Sequence, residues 1–249
     1  MSHLELLQVK LLTEKYHGLE TEAFLHDKAR LEAGEPYEYV LGHTEFIGAV
    51  IDLSLKPMIP RPESAFWIKR AIEELSHREE SLRLADVYAG SGNAGIALLH
   101  NLSNCTVDIC DIDPALKRQQ ALSLERNNIS SERVNLITAS NLDGLTGKYN
   151  AIFAIPPYVP YEALPELDKE MIDYEPHLAF FAHENGHEFH RILIEQAWDF
   201  LLPGGTLYME SDIDTEEVIQ KLVKNTRWTS LEFWPDPYGA TPNVVLRKL

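Results

Sequence analysis

Long apolar runs, disulfide-forming cysteines and positive charge are all scarce in this sequence, and each scarcity closes off a class of function. Nowhere in the 249 residues does an apolar stretch approach the roughly 20 residues that a membrane-spanning helix needs. The N-terminal residues from Met1 to Lys15 mix charged and apolar positions without the apolar block of a signal peptide. A cytoplasmic protein with no membrane contact is expected. The only two cysteines, Cys105 and Cys110, fall inside one apolar run and read as core thiols rather than as a disulfide or a metal pair. Lysine and arginine number 22 against 39 acidic residues, a formal charge of −17. Such a surface repels a phosphate backbone, which disfavours direct nucleic-acid binding and points to a protein or small-molecule partner.

Hydrophobic residues make up 45% of the chain, ample for one large domain with at most a small appendage. Apolar positions at helical spacing (Leu4, Leu7, Leu11, then Phe24, Leu25, Leu31) predict two short helices in a segment spanning residues 1–35. Residues 36–56 alternate and are rich in aromatic and β-branched types. Tyr37, Tyr39 and Val40 predict one arm of a β-hairpin, and Phe46, Ile47, Val50 and Ile51 the other, with Gly42, His43 and Thr44 between them. The main domain is placed at residues 57–249, entered through a helix from Ser64 to Ser76. From Leu82 onward strand-like and helix-like segments alternate, which predicts an α/β fold with a mostly parallel sheet and ligand at the carboxyl ends of its strands. The strands are placed at Leu82 to Val87, Thr106 to Cys110, Val134 to Ile137, Tyr149 to Ile155 and Gly205 to Glu210. Two more, Trp228 to Trp234 and Asn243 to Lys248, predict a C-terminal antiparallel hairpin around Pro237 and Gly239.

Chemistry is expected at three strand ends. The run Asp86-Val87-Tyr88-Ala89-Gly90-Ser91-Gly92 follows the first strand and opens a helix, where glycine lets backbone approach a ligand, or serves a tight structural turn. Asp111-Ile112-Asp113 ends the second strand, about 20 residues on, where a carboxylate meets ribose hydroxyls or caps the helix after Pro114. Ile155-Pro156-Pro157-Tyr158 ends the fourth strand, and its two prolines leave carbonyls free to accept bonds from a substrate amide, or simply form a rigid turn.

Together these motifs resemble class I S-adenosylmethionine (SAM) methyltransferases acting on amide or amino nitrogens. Further runs narrow the likeness: Gly34-Glu35-Pro36, Leu41-Gly42, Glu45-Phe46, Ile59-Pro60-Arg61-Pro62-Glu63, Tyr174-Glu175-Pro176, Leu178-Ala179 and Pro203-Gly204-Gly205. From about residue 34 onward the chain resembles the PrmC (HemK) family of peptide chain release factor glutamine methyltransferases, with an N-terminal part shorter than that family's helical bundle. The resemblance implies a Rossmann-like, seven-stranded fold and SAM as cofactor. It also implies a class 1 release factor as protein substrate, methylated at the glutamine of its Gly-Gly-Gln motif by a monomeric enzyme. It implies cofactor contacts from Asp86, Tyr88, Gly90, Gly92, Asp111, Ile112 and Asn141, with Arg61 and Pro62 near the cofactor mouth. Ile155, Pro156, Pro157 and Tyr158 would form the catalytic turn. The loop from Val159 to Pro176, rich in charge, reads as a solvated face and, with the N-terminal part, as the region that grips the release factor. His183, His187 and His190 gather around the start of a helix, His187 and His190 three apart on a turn expected to be exposed, and no metal is assigned to them.

Three positions depart from the family pattern. Ile155 stands where that family has an asparagine whose side chain accepts one amide hydrogen; isoleucine accepts none. Loss of one preorganised polar group costs about 3 kcal/mol, roughly a hundredfold in rate. Tyr88 replaces the first glycine of the turn, and its bulk is expected to point away from the cofactor. Asn141 replaces an acid beside the adenine amino group and still offers an acceptor. A slowed methyltransferase is therefore expected, with a non-catalytic SAM-fold binding module or a methyltransferase with another acceptor as alternatives.

Overall fold

The computed structural model describes residues 1–212, 215–235, 239 and 243–249. Pro237 of the predicted C-terminal turn lies outside them. The N-terminal segment folds as α1 (His3–Glu14) and α2 (Glu22–Glu32). Ser2 and Glu5 form a reciprocal capping box on α1, and the Thr21 hydroxyl accepts the Phe24 N–H at the start of α2. A third helix, α3 (Tyr37–Leu41), corrects the strand expected at Tyr37 to Val40. Pro36 supplies its N-cap and Gly42, at φ +89°, its left-handed C-cap, so the aromatic positions sit on a helical turn instead of alternating. Tyr37 and Val40, three apart, bury one face against Leu11, Phe24 and Leu31 in a small core of their own.

The hairpin itself is β1 (His43–Phe46) with β2 (Ala49–Asp52), paired antiparallel from His43↔Asp52 to Phe46↔Ala49. Next come α4 (Pro62–Ser76), β3 (Leu82–Val87), α5 (Asn93–Asn101), β4 (Cys105–Asp111), α6 (Leu116–Arg126) and β5 (Val134–Thr138). They are followed by β6 (Tyr149–Ala154), β7 (Val159–Pro160), α7 (Lys169–Tyr174), β8 (Phe181–Ala182) and α8 (Glu188–Gln196). The described chain ends with β9 (Leu201–Met209), α9 (Glu216–Val223), β10 (Ser230–Trp234) and β11 (Asn243–Arg247).

The main sheet is seven-stranded in the order β10-β11-β9-β6-β3-β4-β5, parallel except for β11 against its two neighbours. Side chains alternate across it with the period of two that a strand imposes. Leu82, Leu84, Ala151, Phe153 and Tyr208 face one core with α4, α5 and α6, while Ala85, Val87, Ile152, Ala154, Leu207 and Met209 face the other with α8 and α9. The hairpin docks on α6 through matched polar groups: Asn127 accepts the Val50 N–H at 2.8 Å and donates to its carbonyl at 2.7 Å, while Arg126 pairs with Asp52. Cys105 and Cys110 are buried and unbridged, as core thiols should be. No helix among the described residues is long and apolar enough to cross a membrane.

Candidate active site

Parallel strands present their carboxyl ends on one edge, and reversal of strand order about β3 opens a crevice there. A cavity of about 210 Å³ occupies this crevice, walled by the residues after β3, β4, β5 and β6. Of the residues singled out from sequence, Tyr88, Gly90, Asp111, Ile112, Asn141, Ile155 and Pro157 line it.

The glycine turn is built by backbone sign as much as by sequence. Gly90 and Gly92 have φ of +53° and +79°, and Gly92 is the N-cap of α5. A β-carbon at Gly90 would meet no atom within 4 Å, so its backbone faces open space, whereas one at Gly92 would crowd Gln120 at 3.0 Å. Asp86 lies behind the turn, fully buried, and accepts the Gly95 N–H at 2.7 Å, which ties the end of β3 to the first turn of α5. Burial lifts its carboxyl to about 7, only partly offset by that bond. Asp86 and Gly92 hold the turn without lining the cavity.

Asp111 closes the second wall. Its carboxylate accepts the Gly90 N–H at 2.8 Å on one oxygen and the Asp113 N–H at 3.0 Å on the other, so the two loops hold each other in register. Burial raises its pKa, and the two backbone donors oppose that rise. Neither aspartate caps α6, whose N-cap is Ala115 without a side-chain bond; Asp113 instead closes an Asx turn just ahead of the helix, accepting the Ala115 N–H at 2.9 Å.

Tyr88 does not point away. It lines the cavity with φ of +56°, its ring 5.2 Å from that of Phe189 and its hydroxyl donating to Asn141 Oδ1 at 2.7 Å. The left-handed backbone turns the side chain inward, onto Asn141 and Phe189. Ile155 and Pro157 form the wall after β6, and among the described residues no hydrogen bond reaches the carbonyls of Ile155, Pro156 or Pro157. Pro156 is buried, and the Tyr158 side chain faces away from the cavity. Its hydroxyl donates to Glu210 Oε1 at 3.0 Å, while Glu210 Oε2 accepts Trp67 Nε1–H at 2.9 Å. Glu210 is buried, its pKa raised by desolvation against these donors, and it fixes the turn from behind.

Arg61 and Pro62 stand apart from this cavity. Pro62 occupies the first turn of α4, and Arg61 pairs at 2.6 Å with Glu175, whose other oxygen accepts the Ile59 N–H at 2.8 Å. The clamp fixes the segment whose preceding residues, Leu55 to Met58, form the near rim. His190 is fully buried and His187 partly so, correcting the exposed turn expected of them. His190 Nε2 sits 2.9 Å from the Glu210 carbonyl, and burial pulls its pKa down to about 4. Sequence reasoning missed Phe189 and Met58 as lining residues, since nothing in their local pattern sets them apart from core or surface apolar positions; Leu178, singled out only as part of a family-like run, lines it as well.

No family model matches the chain. A release factor glutamine methyltransferase from Koribacter versatilis is 32% identical over 221 residues, 88% of this chain and 77% of that protein. One of the same description from Deinococcus radiodurans is 31% identical over 234 residues, 93% of this chain and 81% of that protein. Among solved structures, a ribosomal protein L11 methylase from Lactobacillus delbrueckii subsp. bulgaricus superposes with a TM-score of 0.59 at 18% identity. It matches 80% of this chain and 84% of its own, a likeness of fold.

Proposed function

Because the chain belongs to the release factor glutamine methyltransferase family, we propose that the cavity crowning β3, β4, β5 and β6 is where it transfers a methyl group from SAM to a glutamine side-chain nitrogen. The observation that carries this reading is the convergence of Gly90, Asp111, Asn141, Ile155 and Pro157 on one crevice. The donor set fits the cofactor. Open space over Gly90 admits a ligand against bare backbone, and the Asp111 carboxylate suits ribose hydroxyls. Asn141 offers an amide to the base. Two carboxylates in the lining, Asp111 and Asp113, with the lysine there, Lys56, paired to Glu35 at 2.9 Å, suit a cationic sulfonium. When bound, SAM supplies an electrophilic methyl group.

The chain's own task is orientation. An amide nitrogen is a weak nucleophile because its lone pair is delocalised, so a gain in rate comes from holding it in line and favouring its pyramidal form. The Pro156 carbonyl, which no donor among the described residues reaches, accepts one amide hydrogen of the glutamine. Ile155 leaves the second hydrogen unpaired, which slows the reaction without removing the site. Tyr158, anchored on Glu210, keeps the turn from relaxing. Ile112 and Leu178 stand 52% and 62% exposed on the rim and give a protein substrate apolar contacts around the mouth.

The release factor is of class 1, and its contact is with protein alone, since a net charge of −17 opposes nucleic acid. The enzyme acts as a cytoplasmic monomer. A helical segment at 1–35, a hairpin linker at 36–56 and the methyltransferase domain at 57–249 divide the labour between substrate grip and chemistry. The test is transfer of labelled methyl from SAM to a release factor with an intact Gly-Gly-Gln motif, beside one whose glutamine is replaced. Label confined to the intact glutamine is expected; label absent from it, or equal in both, overturns the reading.

A further inference from the structure

Tyr88 is the one aromatic among three non-glycine cavity residues held at left-handed φ, Lys56 and Asn141 being the others among the described residues. Left-handed φ is a glycine preference, and a bulky residue there is strained unless its surroundings hold it. Here they do: the hydroxyl is bound to Asn141 Oδ1 at 2.7 Å and the ring rests on Phe189. The side chain thus spans the crevice from the end of β3 to the loop after β5. The space left is about 210 Å³, below the roughly 300 to 1,000 Å³ of pockets that enclose drug-sized ligands. The amide oxygen that Tyr88 occupies belongs to a residue lining the cavity and is an acceptor of the kind that a donor on a bound base would meet. Burial keeps the phenol protonated, so it is a permanent donor.

We propose that Tyr88 is an internal competitor for the nucleoside ligand: its hydroxyl holds the position on Asn141 that a ligand amino group takes, and the ring withdraws when the ligand binds. The inference rests on the assignment of this cavity to an adenosyl cofactor. Exchange of one donor for another on the same oxygen keeps Asn141 satisfied throughout, and withdrawal both enlarges the cavity and releases the contact that holds the strained backbone. Affinity is therefore set by a residue that touches the ligand only while being displaced.

Calorimetric titration with S-adenosylhomocysteine tests this on the full chain and its Tyr88→Phe and Tyr88→Gly variants. Phenylalanine keeps the ring and removes the competing hydrogen bond, so its dissociation constant should fall about fivefold. Glycine removes ring and strain together and should bind tighter still. A crystal structure with S-adenosylhomocysteine should show the Tyr88 hydroxyl beyond hydrogen-bonding distance of Asn141. Equal or weaker binding by Tyr88→Phe, or a retained Tyr88–Asn141 bond in the liganded crystal, overturns the proposal. Should Tyr88→Gly fold poorly in a thermal melt, Tyr88→Phe decides alone. Binding by the unaltered chain with unchanged affinity in the variants overturns only the competitor. Absence of heat in all three proteins removes the cavity assignment and the competitor with it.

Discussion

Ile155→Asn should make the enzyme faster while making the fold less stable. Ile155 follows β6 immediately, lines the cavity beside Pro157 and packs its other side on the core that faces α4. Asparagine gives up that aliphatic contact, a loss of about 2 kcal/mol for a half-buried side chain. The melting temperature should fall by roughly 4 to 8 °C for a chain of this size. In exchange the wall gains an acceptor for the second amide hydrogen. One preorganised polar group of this kind contributes about 3 kcal/mol to the transition state, roughly a hundredfold in rate. The gain belongs in kcat rather than KM, because the acceptor matters most as the nitrogen turns pyramidal. Single-turnover methyl transfer to a release factor, with binding of S-adenosylhomocysteine measured in parallel, separates the two effects. A variant that binds normally, remains folded at the assay temperature and is no faster than the unaltered protein refutes the reasoning that Ile155 is a missing acceptor.

Asp111→Asn must turn an amide N–H toward the Gly90 or the Asp113 N–H, so affinity for S-adenosylhomocysteine should drop roughly tenfold or more by calorimetry; unchanged affinity would show that the β4 carboxylate is not a ligand contact. Glu175→Ala leaves Arg61 and the Ile59 N–H without their partner and should cost about 3 to 5 kcal/mol, a melting temperature lower by at least about 6 °C. Asp86 and His190 pull in opposite directions with pH. The Asp86 carboxyl is raised from 3.8 to about 7 in the fold, so the native state holds that proton longer and this group's contribution to stability falls as pH rises through that window. His190 is lowered from 6.5 to about 4, so its contribution falls as pH drops through that one. Asp86→Asn removes the first slope alone, and its melting temperature should fall more steeply than that of the unaltered protein on acidification from about pH 6.5 to about pH 4; parallel curves would contradict the assignment.

The strand ends were legible because their signals are local. A glycine turn after an apolar strand, an acid at the next strand end and a double proline after the fourth each fix backbone within a few residues, and the cavity walls stand where those signals lie. The stretch from Tyr37 to Leu41 was misleading because aromatic and β-branched residues favour strands only when they find a pleated partner. Here Pro36 opens a helical turn and Gly42 closes it, and the N-terminal helices offer Tyr37 and Val40 an apolar surface that a helical face covers. The two-residue ladder of β7 with β8 carries no sequence signal, since Val159–Pro160 pairs with a segment some twenty residues away. Phe189 was beyond reach for a different reason: it enters the site from the first turn of α8, and only the packing of α8 on the sheet brings it to Tyr88. Tyr88 itself was visible as a departure, but its direction depended on a backbone angle that residue type does not reveal.

Two of the three departures from the family pattern, Tyr88 and Ile155, are physically one feature. Register pairs Val87 with Ala154, so Tyr88 and Ile155 are the next residues on adjoining strands, at the same level of the sheet's rim. Tyr88 packs toward the core shared with α8, and Ile155 toward the core shared with α4. Between them they replace a bare backbone and a polar side chain with a ring and a branched hydrocarbon, on opposite faces of the same opening. Residues this close seldom act additively. With Tyr88 latched onto Asn141, the crevice is narrow and its wall after β6 is apolar, so an amide brought to Ile155 is desolvated without a partner. Once Tyr88 has withdrawn, the same wall borders a wider space in which the glutamine can be held through the Pro156 carbonyl alone. The rate deficit assigned to Ile155 is therefore a property of the pair, and the effect of Ile155→Asn should depend on which residue occupies position 88.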